Sequence, residues 1–163
     1  FALIADWYHF GILELTTVEG FQSDAGWIAK KMGLQKELVK IALERLIRLE
    51  LLKKNAHGQF VATNDFSASP DGVPSEAIKK YHRQVLERAL SALDTQSVQE
   101  RDITNVMFAF DRSKMPQAKS AIRDFRRSFS KAVGGPPESR KSDSVYCLAI
   151  QFFRLDQDIT KEK

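Results

Sequence analysis

Between Asp24 and Thr63 the chain carries a pattern that few folds accommodate: helix, tight turn, helix, hairpin. Asp24-Ala-Gly-Trp-Ile-Ala-Lys-Lys-Met reads as a short helix and stops at Gly33, a residue suited to a left-handed turn. A second helix is expected at once from Leu38, Ile41, Ala42, Leu46 and Leu49, whose i, i+3, i+4 spacing buries one face. Leu51-Leu-Lys-Lys-Asn and Gln59-Phe-Val-Ala-Thr then flank Ala56-His57-Gly58, a short turn with Gly where a hairpin needs one. Two helices joined tightly, the second running into a hairpin, make a winged helix-turn-helix. That geometry presents the second helix to a DNA major groove. Winged helices also dock proteins, so the pattern constrains the fold more firmly than the ligand.

Around this nucleus, residues 3–15 read as a first helix with Leu3, Trp7, Phe10 and Leu13 or Leu15 inward. Residues 16–23 form a loop, and Asp24 or Ser23 is the expected N-cap of the next helix. Residues 64–75 are rich in Ser, Asp, Gly and Pro and mark a boundary between a winged-helix domain, 1–65, and a C-terminal domain, 66–163. Pro74-Ser75-Glu76 starts a long helix to about Leu93, whose stripe of Ile78, Tyr81, Val85, Leu86, Ala89, Leu90 and Leu93 is wider than one neighbour needs. Residues 102–110 have strand composition, residues 116–131 a helical pattern with Ala118, Ala121, Ile122, Phe125 and Phe129 inward, and residues 145–155 a second strand apolar on both faces. The breaker-rich stretch from Gly134 to Ser142 separates the last two. Strand, helix, strand favours a parallel right-handed crossover, and two strands alone are marginal. The fold class expected is therefore α+β: a winged helix-turn-helix, a long helix and a strand–helix–strand unit.

A length of 163 residues with 43% hydrophobic and 28% charged side chains suits a globular chain, and no apolar run is long enough to span a bilayer. The chain starts at Phe1 without a leader pattern, so it is expected to be a fragment. Cys147 is the single cysteine and is expected as a small core residue inside a strand, which suits a reducing cytoplasm. The net charge of +4 is segregated. Residues 24–63 contribute plus four and residues 112–141 plus seven, against acidic surroundings. Two basic segments point to anionic partners.

Segments spread along the chain carry a resemblance. They are Asp6-Trp7-Tyr8, Ile12-Leu13-Glu14-Leu15, Trp27-Ile28-Ala29 and Val73-Pro74-Ser75, then Tyr81-His82-Arg83-Gln84, Glu100-Arg101-Asp102, Ile122 to Arg127, Val145-Tyr146 and Ile150-Gln151. With these the chain resembles a bacterial domain-of-unknown-function family that forms the C-terminal part of conserved hypothetical, helix-turn-helix-type regulator-like proteins. The resemblance implies a further repressor-type helix-turn-helix ahead of this segment, and it brings no catalytic residue with it. Residues 34–63 are also similar to winged-helix repressors in general.

Two sets of residues are candidates for binding. For DNA, the start of the second helix offers Gln35, Lys36 and Lys40, preceded by Lys30 and Lys31, and the wing offers Lys53, Lys54 and His57. Glu37 and Glu44 on the same helix oppose phosphate and favour protein docking instead. For an anionic effector or a partner, Lys119, Arg123, Arg127 and Lys131 fall at i, i+4 spacing with Arg126 beside them, and arginine forks hold phosphate or carboxylate bidentately. A solvated helix face explains the same stripe. His9, His57 and His82 lie in separate elements without metal-ligand spacing, and no nucleophile–base pair or phosphate-cradling loop is visible. The sequence thus points to a non-enzymatic, cytoplasmic regulator, without cofactor, metal or membrane, that forms a homodimer and contacts DNA, a protein partner or an anionic small molecule.

Overall fold

The computed structural model describes residues 5–63, 76–134 and 141–159. Three helices come first: α1 (Trp7–Leu15), α2 (Ala25–Met32) and α3 (Lys36–Arg48). A hairpin follows, β1 (Leu52–Lys54) and β2 (Phe60–Ala62), then two long helices, α4 (Glu76–Thr95) and α5 (Met115–Gly134). The result is a mixed α+β chain with five helices and one small antiparallel sheet among the described residues. The boundary segment 64–75, Leu3 and most of the loop after Gly134 lie outside the described residues.

Local chemistry sets the element ends. The Asp24 carboxylate accepts the Trp27 backbone N–H at 2.7 Å and caps α2, as its position before the apolar run implied. Gly33 ends that helix at φ 66°, ψ 39°, where a side chain would be strained. In the hairpin, Leu52 pairs with Ala62 and Lys54 with Phe60. Its turn is organised by Asn55, whose side-chain oxygen accepts from the His57 and Gln59 backbones at 2.9 and 3.0 Å, while Gly58 takes φ 73°.

Residues 5–63 share one core. Ile12, Leu15, Ile28, Val39, Leu46 and Leu52 are almost wholly excluded from water, with Leu13, Val18, Ala42, Leu43 and Phe60 around them. Each side chain of this size contributes about 1.5–3 kcal/mol by leaving water. The expected inward faces are corrected in phase. On α3 the buried row is Val39, Ala42, Leu43 and Leu46, while Ile41 is 53% exposed and Leu38 half-buried. The two rows share Ala42 and Leu46, so periodicity alone could not separate them. On α1 the core takes His9, Ile12, Leu13 and Leu15, whereas Trp7 and Phe10 are half-buried and turn towards α4.

The second half departs further from expectation. Residues 102–110 and 145–155 form no strands, so the strand–helix–strand unit is not built. The two segments nonetheless lie side by side, with the Phe152 ring 4.9 Å from Phe110 and stacked at 6.1 Å on Phe108. A lone parallel pair has two open edges and the weaker ladder geometry, so side-chain contact alone does not hold it in register. No residue of α4 or α5 is buried, and Phe125 and Phe129, expected inward, are 51% and 40% exposed. Cys147 is exposed rather than part of a core.

Candidate nucleic-acid interface

The DNA candidates sit on a scaffold held by two side chains that the sequence pattern did not single out for this purpose. Ser23 was an alternative cap for α2; instead its Oγ accepts the Phe60 backbone N–H at 2.8 Å. That bond ties the returning strand of the hairpin to the start of α2, across 37 residues. The second is His9, buried completely beneath α3. Its Nδ1 meets the Asp6 carbonyl at 3.2 Å and its Nε2 faces the Arg45 guanidinium at 3.5 Å, the arrangement of a neutral ring that donates from Nδ1 and accepts at Nε2. Burial holds His9 below the usual imidazole value; the Arg45 and Lys80 charges add to this, and the bond to Asp6 opposes it.

On that scaffold the candidate side chains are uncovered. Gln35 occupies the N-cap position of α3 without using its side chain as a cap, and both it and Lys36 are exposed. The Lys36 ammonium reaches back towards Gly26 in the first turn of α2. Lys30 and Lys31 are exposed in the last turn of α2, where cations also suit the negative end of the helix dipole. Lys40 pairs with Glu37 at 2.8 Å with both side chains largely in solvent, while Glu44, the other acid on this helix that opposes phosphate, is exposed. An exposed pair of this kind is worth about 0–1 kcal/mol and yields easily to a stronger anion. Lys53 points to solvent, Lys54 lies over the Phe60 ring at 5.4 Å, and His57 stands exposed in the turn. The last turn of α3 and the hairpin enclose a shallow hollow of about 630 Å³, lined by Ile47, Glu50, Leu52, Lys53, Lys54 and Thr63.

A joint connects this region to α4. The Asp6 carboxylate accepts from Gln84 at 2.8 Å and pairs with Lys80 at 2.6 Å, while the Gln84 amide oxygen accepts the Trp7 backbone N–H at 3.0 Å. Partial burial works against the charge on Asp6, but the Lys80 and Gln84 contacts outweigh it and hold the carboxyl below its usual range. Arg88 lies 4.4 Å over the Trp7 ring, and Phe10 meets Tyr81 edge to face at 5.3 Å. Two of the segments that carried the resemblance, Asp6-Trp7-Tyr8 and Tyr81 to Gln84, therefore meet in space.

Over residues 1–155 the sequence matches the family described as a domain of unknown function, DUF4423. The chain belongs to that family. No curated protein and no solved structure matches this DUF4423 chain.

The second candidate set is placed differently. Lys119, Arg123, Arg127 and Lys131 are exposed along one side of α5 and Arg126 is half-covered on a neighbouring side, so the five do not converge on one point. His82 is exposed beside Tyr81. Among the described residues no group of three or more His, Cys, Asp or Glu side chains is placed to hold a metal ion, and no helix is long and apolar enough to cross a membrane.

Proposed function

We propose that residues 5–63 act as a winged helix that contacts duplex DNA, chiefly through backbone phosphates, as the non-enzymatic part of a regulator. The observation that carries this reading is the exposed start of α3, with Gln35 and Lys36 open to solvent, on a unit whose hairpin also presents Lys53. A capped α2, a left-handed Gly33 and a hairpin pinned by Ser23 support the assignment, because they hold the helix and the wing as one rigid reader. Few of the exposed side chains can read base edges; Gln35 is the best suited of them. Affinity therefore rests on cations and follows counterion release, with each phosphate contact contributing about 0.9 to the slope of log affinity against log salt.

The test is fluorescence anisotropy on random and mixed duplexes over a salt series, with the double variant Lys53→Glu and Lys54→Glu. Binding should weaken about equally for all sequences, and the salt slope should fall by roughly two. Unchanged affinity and slope would overturn a DNA role for the hairpin and turn the reading towards a docked protein.

A further inference from the structure

We propose that α4 is a two-faced helix: one face holds the N-terminal unit of its own chain, and the opposite face pairs with α4 of a second copy. Lys80, Tyr81, Gln84 and Arg88 lie on the side of α4 that touches α1. At 3.6 residues per turn, Leu86, Leu90 and Leu93 project from roughly the opposite side. They are 45%, 66% and 45% exposed. Their spacing of four and then three residues is that of a coiled-coil seam, whose natural complement is another copy of the same row. Both signs of charge border it, Arg83 against Glu87 and Asp94, all exposed and none in an ion pair among the described residues. Across a two-fold axis, Arg83 of one copy would face Glu87 or Asp94 of the other.

The extent of uncovered apolar surface selects a second copy. Among the described residues, eighteen of the twenty-one exposed large apolar side chains follow Glu76, among them Val106, Met107, Phe108, Tyr146, Phe153 and Leu155. Five of the eighteen are aromatic, a class that buries about 150–250 Å² each, so at their partial exposure these five alone uncover on the order of 500 Å² per chain. A stable interface needs about 800 Å² per partner, which the leucine row would have to reach together with other exposed apolar side chains of this half. Every copy carries the same deficit and the same leucine row, which is the condition for an isologous two-fold contact. The inference stands whether or not the hairpin touches DNA.

Sedimentation equilibrium and light scattering on the chain at micromolar concentration test it, together with the double variant Leu86→Glu, Leu90→Glu and the milder Leu90→Ala. The wild type should have twice the monomer mass. The double variant should be monomeric while the Trp7 and Trp27 fluorescence of the N-terminal unit is kept, and Leu90→Ala, which preserves helix propensity, should weaken dimerisation about tenfold. A monomeric wild type, or a spread of larger assemblies, would overturn the proposal. So would a dimer of unchanged strength in both variants.

Discussion

Residues 5–63 and residues 76–159 are both rich in apolar side chains, the first somewhat more so, and have opposite structural fates. The first stretch folds three short helices and a hairpin around a dry centre made of Ile12, Ile28, Val39, Leu46 and Leu52. The second has longer helices, each of 20 residues, and not one buried side chain among the described residues. Helix length and amphipathicity do not make a core; what matters is whether two apolar faces are brought together by short connections. Gly33 and the Asn55 turn do this in the first region. In the second, α4 and α5 are separated by residues 96–111, a turn followed by a stretch without helix or strand, and neither helix buries a side chain among the described residues.

The sharpest way to break this comparison is to truncate one large side chain in each region. Leu46→Ala should lower the unfolding free energy of the N-terminal unit by about 2–5 kcal/mol, since a buried cavity adds to the lost transfer energy. Val106→Ala, at a side chain 78% exposed, should change the same quantity by no more than about 0.5 kcal/mol. Urea unfolding followed by tryptophan fluorescence compares the two directly. Equal effects would mean that the regions form one cooperative core.

A smaller effect should come from pH, and between pH 5 and 7.5 it should come chiefly from the first region. His9 is held below the ordinary imidazole value of about 6.5, so below that pH the unfolded chain takes up a proton that the folded one resists. Stability of the N-terminal unit should therefore be fully present above about pH 6.5 and decline as pH falls through and below that value. The charged groups facing the ring, Arg45 and Lys80, steepen the loss and Asp6 moderates it. Denaturant midpoints between pH 5 and 7.5 check this, and a midpoint that rises on acidification would contradict it.

What the sequence made legible follows the same division. Asp24, Gly33 and Gly58 announced their turns because capping and left-handed geometry depend on single residues and near neighbours. The phase of α3 was misjudged by one residue because Leu38 and Ile41 are as apolar as Val39 and Leu43, and only the packing of α1 and α2 decides between them. Strand composition at residues 102–110 and 145–155 was real, yet a ladder needs partners that composition does not supply. Of the DNA candidates, Gln35, Lys36 and Lys53 are exposed on elements that local patterns predict, whereas the Ser23 tether and the Asp6–Gln84 joint depend on contacts 37 and 78 residues apart. No local pattern encodes such pairs.

Amide hydrogen exchange measured at several protein concentrations tests the contrast between the two regions most directly. Protection in α1, α2, α3 and the hairpin should be independent of concentration, while protection in α4, α5 and residues 102–110 should rise as the chain associates. Strong protection of α4 and α5 in samples dilute enough to be monomeric would contradict it, because the second half would then be stable without a second copy.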